Sequence, residues 1–375
     1  MRVLAITQPG DGHLNPMVPV AHQLLSAGHE VQVATSPSYV PDVERVGLAA
    51  VGIGPGYRWD SALQTWPDAT DVPPEESALF WAQRVNRDVT IPFMTDLRDL
   101  VRATRPTLIL GEYASGPWAQ AIGELEHLPY VVTAWASEPG YDQVTVEASG
   151  GNVARAELGL PETRQVDPAR WVSFTPPSWG ALDGPALPTT RRYQLPTEAS
   201  DNPVPGSTDH PFVYATLGTV FNTTRSLLKS IIAAIDAGGW AGLVTVGRTN
   251  DPDRFSAPDR VAVEQYVAQV DVLAQADVMV CHGGLGSMLG AIAAGCPIVV
   301  VPLGADQLHN ARRAQTLGIA SIVEPADATP DRLRGAIAEA IESPGQRSAC
   351  ATLRREVASL PDLFSLVADL EGLTS

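Results

Sequence analysis

The heptapeptide CHGGLGS, Cys281–Ser287, decides how this chain is read. It follows the apolar run ADVMV and precedes MLGAIAAG, so it falls where a buried strand turns into a helix. Glycine takes up positive φ and lets backbone come close to a bulky ligand. A helix beginning near Gly284 turns its free N–H groups and the positive end of its dipole outward. His282 and Ser287 add side-chain donors. Together these are the requirements of a phosphate site; on spacing alone, a plain tight turn between strand and helix is the alternative. The P-loop pattern GxxxxGK[ST] is absent, no lysine stands here, and the glycine spacing is not that of a dinucleotide fingerprint. One strand later, after PIVVVP, comes GADQLHN. Asp306 and Gln307 then share the same sheet edge and offer acceptors and donors to a hydroxyl-rich group such as a sugar. The competing reading makes Asp306 a simple cap of the helix QLHNARRAQTLG.

Around this stretch the pattern alternates strand and helix. MRVLAIT opens the chain as a strand, and QPGDGHLNP follows as a loop. Asn15 and Pro16 suit the start of the helix MVPVAHQLLSAG, which stops at Gly28. HEVQVATS, RPTLILGEY and LPYVVTAW are further strands, with GPWAQAIGELE helical between the last two. LPTEASDNPVPGSTDH, Leu195–His210, is rich in Pro, Ser, Thr and Asp and reads as a linker. The alternation then restarts with PFVYATLGT and continues through RVAVEQYV and VDVLAQA to DVMVCHGG. The expected class is α/β, with two doubly wound Rossmann-like domains facing a cleft. The boundaries are 1–200 for the first domain, 201–210 within the linker, 211–355 for the second, and 356–375 for a C-terminal helix.

A chain of 375 residues suits two domains, and 45% hydrophobic against 18% charged residues promises a sizeable core. The formal charge of −17 opposes a phosphate-backbone partner, which removes nucleic acid from consideration. Apolar runs such as PIVVVPLGA are too short for a membrane span, so stable membrane insertion is not expected. The opening MRVLAITQPG carries no cleavage-site pattern, and Cys281, Cys296 and Cys350 are odd in number and widely spaced. Both suit a reducing, cytoplasmic setting without a disulfide framework or a zinc knuckle.

CHGGLGSMLGAIAAGCPIVVVPLGADQLHNARRAQTLG resembles the donor-binding signature of the GT-B fold, inverting, nucleotide-sugar-dependent glycosyltransferases. It is similar above all to bacterial enzymes that glycosylate macrolides, enediynes and aromatic polyketides. GDGHLNP, ATLGT at Ala215–Thr219 and EQYVAQVDVLAQADVMVCHGG extend the resemblance along the whole chain. It implies that His282 bonds the diphosphate, with Gly284, Gly286 and Ser287 supplying backbone and hydroxyl donors and Thr219 reaching the same group. It implies that Tyr266 stacks on the base, Val267 holds the base edge through its backbone, Gln269 approaches the ribose, and Asp306 and Gln307 hold sugar hydroxyls. Tyr266 stands where the family often has tryptophan, and Ala268 where it has proline, so the nucleotide, thymidine (TDP) or uridine (UDP) diphosphate, stays open. No cofactor and no metal are implied, since the nucleotide sugar is the co-substrate and no DxD-like acidic motif stands beside the phosphate loop. A homodimer is left open.

The first domain is then the acceptor domain, with the C-terminal helix returning to it as in relatives. A hydroxyl is a poor nucleophile until its proton is removed, and neutral histidine can act as that base at pH 7. By itself a histidine in a glycine loop has a loop or capping role as its simpler reading; the resemblance makes His13 the general base. It makes Glu112 the orienting acid, where the family has aspartate; the alternative is a solvated residue at a strand end. Seven of eight tryptophans precede the linker. Trp59, Trp66 and Trp135 are candidates for contact with a small lipophilic or aromatic acceptor, against a core role for each. The reading is transfer of a (deoxy)sugar to a hydroxyl. The alternatives are a non-catalytic auxiliary protein that binds nucleotide sugar, and a nucleotide-sugar 2-epimerase of the same fold.

Overall fold

The computed structural model describes residues 1–68, 80, 83–134, 151–181, 185–197, 203–206, 211–218, 224–247, 250–304 and 306–374. The chain divides into two compact units. The first comprises residues 1–173, 181–195 and 361–375, the second residues 174–180 and 196–360. Most of the Pro- and Ser-rich linker stretch, including 201–202 and 207–210, lies outside the described residues.

The first unit is built on seven parallel strands: β1 (Arg2–Ile6), β2 (Glu30–Thr35), β3 (Ala49–Gly52), β4 (Leu108–Glu112), β5 (Tyr130–Thr133), β6 (Arg170–Ser173) and β7 (Thr190–Arg192). Their order across the sheet is β3-β2-β1-β4-β5-β6-β7. The second unit has six parallel strands: β8 (Phe212–Thr216), β9 (Ala241–Thr245), β10 (Val261–Glu264), β11 (Val278–Cys281), β12 (Ile298–Val300) and β13 (Ala320–Ile322), in the order β10-β9-β8-β11-β12-β13. The central strands are apolar runs without alternation. β4, β8, β9 and β11 are buried at every position, as a parallel sheet covered on both faces demands. Among the described residues of each unit, buried apolar side chains gather on that sheet. Leu4, Ile6, Phe93, Trp118 and Val132 belong to the first core, and Val213, Ile231, Val280, Val299 and Ile337 to the second. The Phe93 and Trp118 rings lie 4.8 Å apart. Cys281, Cys296 and Cys350 are buried free thiols.

Both sheets reverse their winding direction between the first strand and the fourth, β1 beside β4 and β8 beside β11. In a doubly wound sheet that reversal opens a crevice outside the carboxyl ends of the strands. Of the residues read from sequence as chemistry-bearing, His13 lies in the connection after β1, Glu112 ends β4, and His282 follows β11.

The helix Leu363–Glu371 groups with the first unit. Asp362 caps it by accepting from Ser365 N at 2.9 Å, and Leu363, Leu366, Val367 and Leu370 are buried. Arg170 at the start of β6 donates to Asp369 through Nε (2.6 Å) and Nη2 (2.8 Å), and the Tyr193 hydroxyl donates to the same carboxylate at 3.0 Å. That fork holds the Asp369 carboxyl below the usual range, chiefly through Arg170. Replacing Asp369 by alanine is expected to cost about 1–2 kcal/mol. Amide exchange should quicken selectively in residues 363–371, measured by hydrogen exchange with mass spectrometry. Uniform exchange along the chain would show that the fork does not anchor the helix.

Candidate active site

The segment after β1 is not an open loop. Asp11–Leu14 forms one helical turn, pinned by the Tyr39 hydroxyl donating to Asp11 Oδ1 at 2.6 Å. The longer helix begins only at Val18, behind Met17 and with Pro19 in its first turn. Asn15 therefore does not cap it; the Asn15 N–H donates instead to the Asp11 carbonyl at 2.9 Å. This extra turn carries His13. Its Nδ1 is enclosed and lies 3.3 Å from Oε2 of Glu112, the last residue of β4.

Glu112 is fully buried, which sets aside its reading as a solvated strand end. Its Oε1 accepts from the N–H of Ser115 (3.1 Å) and Gln8 (3.4 Å), and its Oε2 from Ala114 N (2.7 Å). Ser115 Oγ accepts from Glu112 N at 3.0 Å and donates to the Ile6 carbonyl at 2.7 Å. The carboxylate is thus anchored to both strands of the reversal, just ahead of the helix Gly116–Glu126. With a carboxylate beside Nδ1, the tautomer favoured by the pair carries its proton there.

Trp59 borders this turn. It is half-buried, its Nε1 donates to Gln8 Oε1 at 2.7 Å, and its backbone N–H donates to the Pro9 carbonyl at 3.0 Å. Trp66 departs from the acceptor-contact expectation. It is 5% exposed, donates through Nε1 to Asp88 Oδ2 at 2.9 Å, and packs 6.3 Å from Trp59 as part of the core. A ring in that position supports Trp59 and offers a ligand no open face. Trp135 lies outside the described residues.

In the second unit the helix Leu285–Ala294 starts behind Gly284, whose side has no capping group. Its hydrogen-bond ladder begins with Met288 N to Gly284 O at 3.2 Å, so the N–H groups of Leu285, Gly286 and Ser287 precede it. The His282 ring is buried against this start. A Cβ on Gly218 would stand 2.6 Å from its Cε1, and one on Gly284 2.5 Å from its Nε2. Gly283, at φ +92°, would bring a Cβ within 2.9 Å of Val300 and 3.0 Å of the Gln307 carbonyl. Two glycines of the heptapeptide are therefore imposed, Gly284 by the imidazole and Gly283 by the next connection; a Cβ at Gly286 would meet nothing within 4 Å. Burial pushes the His282 imidazole down to about 4, against a smaller upward effect of its bond to the Thr216 carbonyl. The ring is neutral at pH 7. Thr219 lies outside the described residues; its neighbour Gly218 donates its N–H to Thr216 Oγ1 at 3.2 Å.

Asp306 occupies the cap position of the helix Gln307–Thr316, yet its side chain makes no cap bond. Its Oδ2 instead accepts from Asn310 Nδ2 at 2.9 Å. Burial pushes this carboxyl up, opposed chiefly by the Asn310 bond. Gln307 is 2% exposed, and its Oε1 accepts from Leu303 N (2.7 Å) and Gly304 N (3.1 Å). The same Asn310 nitrogen donates to the Gly283 carbonyl at 3.0 Å. Sequence reasoning missed this residue. The i, i+4 spacing from Asp306 on a helix was the available signal.

Beyond β10, Tyr266 is 60% exposed and Val267 half-buried. Gln265 braces the segment by donating to the Asn250 carbonyl at 2.9 Å. Gln269 opens the helix Gln269–Leu273 and turns its amide inward, 3.4 Å from the Ser287 carbonyl. It ties this segment to the helix Leu285–Ala294. Among the described residues, no three His, Cys, Asp or Glu stand together as a metal cluster, and no helix is long and apolar enough to cross a membrane.

Two doubly wound units, one with a His–carboxylate pair and one with a glycine-bounded helix start after its fourth strand, match the GT-B glycosyltransferases in solved structures. The calicheamicin glycosyltransferase CalG4 superposes with a TM-score of 0.81 at 19% identity, covering 100% of this chain and 98% of that one. The spinosyn rhamnosyltransferase SpnG, in a complex with thymidine diphosphate, superposes with a TM-score of 0.79 at 23% identity, covering 99% and 100%. Residues 227–373 match the family described as erythromycin biosynthesis protein CIII-like, C-terminal domain. L-demethylnoviosyl transferase of Streptomyces niveus is 30% identical over 333 residues, 85% of this chain and 84% of that protein. The chain belongs to the family of natural-product glycosyltransferases and is itself a glycosyltransferase.

Two outcomes follow from the His282 environment. Gly218→Ala, at φ +72° and against the ring, is expected to destabilise by about 1–3 kcal/mol and weaken diphosphate binding. Denaturant unfolding and calorimetry measure the two effects. The pH dependence follows from the sign of the shift. The folded ring binds its proton only near 4, whereas the unfolded one binds it near 6.5. Stability is therefore complete above about 6.5 and falls as pH drops toward 4, by up to about 1.4 kcal/mol per unit. His282→Asn should flatten that limb; an unchanged slope between pH 6.5 and 4 would contradict the assignment.

Proposed function

We propose that this protein transfers a (deoxy)sugar from a thymidine or uridine diphosphate sugar to a hydroxyl of a small lipophilic natural product. The anomeric carbon inverts, and His13 is the general base. One observation carries the donor half of this reading: the order of groups along the carboxyl edge of the second sheet. Tyr266 follows β10, Gly218 follows β8, His282 follows β11, and Asp306 and Gln307 follow β12. Strands stand about 4.8 Å apart, so β10 to β11 spans roughly 14 Å and β12 lies one step further. An exposed aromatic, a phosphate helix and a carboxylate–amide pair thus run in the order base, diphosphate, sugar. The structural neighbour complexed with thymidine diphosphate favours thymidine.

In the proposed step, the acceptor O–H gives its proton to His13 Nε2. The freed oxygen forms a bond to the anomeric carbon while the bond from that carbon to the diphosphate oxygen breaks. The leaving diphosphate takes the electron pair. The first-turn N–H groups of Leu285, Gly286 and Ser287 meet its charge as preorganised donors, with the His282 ring, its one N–H given to the Thr216 carbonyl, packed behind them. Glu112 holds the imidazole in its working tautomer and offsets the imidazolium charge. Trp59, fixed to the His13 turn through Gln8, is the aromatic surface proposed for the acceptor.

His13→Ala is expected to lower kcat by about 10²- to 10⁴-fold, with thymidine diphosphate affinity unchanged. Glu112→Gln should lower kcat by less. The measurement is release of nucleoside diphosphate, with product masses, from thymidine and uridine diphosphate sugars over a panel of polyketide and phenolic acceptors. The anomeric configuration of the product, read by NMR, tests inversion. Undiminished transfer by His13→Ala would remove His13 from the mechanism, and a retained configuration would remove direct displacement.

A further inference from the structure

Asn310 is fully buried in the first turns of the helix Gln307–Thr316. Its amide nitrogen donates to the Gly283 carbonyl at 3.0 Å and to Asp306 Oδ2 at 2.9 Å. An amide NH2 has two N–H bonds, so each acceptor takes one. The acceptors sit on different connections, those after β11 and β12. The peptide that follows Gly283 is planar and trans, so its N–H, on Gly284, points opposite to the Gly283 carbonyl. With that carbonyl drawn inward to Asn310, the Gly284 N–H is turned away from the interior, on the side from which the phosphate helix starts. The same nitrogen holds the Asp306 carboxylate, which makes no cap bond to its own helix.

We propose that Asn310 is the positioning residue of the nucleotide-sugar site: one amide nitrogen sets the Gly283–Gly284 peptide toward the diphosphate and the Asp306 carboxylate toward the sugar. The inference rests on the reading of the second unit as the donor-binding unit. It adds a coupling between two subsites. At Gly283 the backbone, at positive φ, packs close to Val300 and the Gln307 carbonyl. The Asp306 side chain makes no bond to its own helix start and is held through Oδ2 by Asn310. Asn310 therefore references the carboxylate to the turn that carries Gly284, so that a sugar is presented in register with the bond to be broken. Asn310 touches neither the reacting atoms nor, on this geometry, the ligand itself.

The test is calorimetry with thymidine diphosphate and with TDP-glucose on wild type, Asn310→Ala, Asp306→Asn and the double variant. Asn310→Ala is expected to weaken thymidine diphosphate roughly tenfold, through the unpaired Gly283 carbonyl, and TDP-glucose by a larger factor. Asp306→Asn should weaken TDP-glucose and leave thymidine diphosphate alone. In the Asp306→Asn background, Asn310→Ala should weaken both ligands by the same factor, because the sugar contribution is already gone. A merely structural role predicts that Asn310→Ala leaves the ratio of the two affinities at its wild-type value, and that result overturns the inference. Wild-type affinities for both ligands in Asn310→Ala overturn it too. If wild type binds neither ligand, the donor-site reading fails, and the inference with it. If wild type binds and only the cycle shows no coupling, the inference fails alone. Should Asn310→Ala not fold, Asn310→Ser keeps one donor and should show the same asymmetry at smaller size.

Discussion

The donor site depends on one packing constraint: the His282 ring occupies the space that side chains at Gly218 and Gly284 would need. Buried there, the imidazole stays neutral, and the backbone at Gly218 and Gly284 closes around it. That closure decides where the helix Leu285–Ala294 begins and how its free N–H groups are aimed. It also brings Gly283 against Gln307 and within reach of Asn310, so the connection after β12 is built on the one after β11. A larger residue at any of these glycines would move the phosphate turn and the sugar pair together.

The same fold places two histidines at strand ends beside the reversal of each sheet and gives them opposite surroundings. His13 follows the first strand of its sheet, keeps a partly exposed ring, and has a carboxylate 3.3 Å from Nδ1. His282 follows the fourth strand of its sheet, is buried, and meets the Thr216 carbonyl. Desolvation there keeps the His282 ring neutral. The two histidines therefore differ by environment alone, one beside a carboxylate and one desolvated.

Much of this was legible in the chain. Unalternating apolar strands, glycine-bounded helices and the restart after residue 210 gave two doubly wound units, because buried parallel strands leave a strong local signal. CHGGLGS and GADQLHN lie, as expected, at the carboxyl ends of adjacent strands, β11 and β12. What escaped was set by tertiary contact. The turn Asp11–Leu14 forms where a loop reads naturally, because Tyr39, distant in sequence, ties Asp11 down. Residues 174–180 group with the second unit although they continue from β6, and no composition shift marks them. Trp59 and Trp66 read alike in sequence; only the fold shows one facing the His13 turn and the other inside the core. Asn310 stood within the quoted motif, but its partner Gly283 is 27 positions away.

The glutamate at position 112 shows how a longer side chain can keep a short side chain's task. One extra methylene adds a rotor whose freedom must be lost, a cost of a few tenths to about 1 kcal/mol. A glutamate at an open strand end would not hold a histidine steadily. Here the carboxylate folds back over the strand end and meets backbone N–H groups from Ala114, Ser115 and Gln8. Two of these lie just ahead of a helix start and the third follows β1, so both oxygens are held by the elements that frame the reversal. Each such bond to a charged acceptor is worth about 1.5–3 kcal/mol in a buried setting, more than the rotor costs. Ser115 closes the arrangement, joining the Glu112 N–H to the Ile6 carbonyl. The added length is absorbed by this backbone cradle, and Oε2 still reaches His13. What the site requires at this position is a fixed carboxylate oxygen near Nδ1, and the local backbone, more than the length of the acid, supplies it.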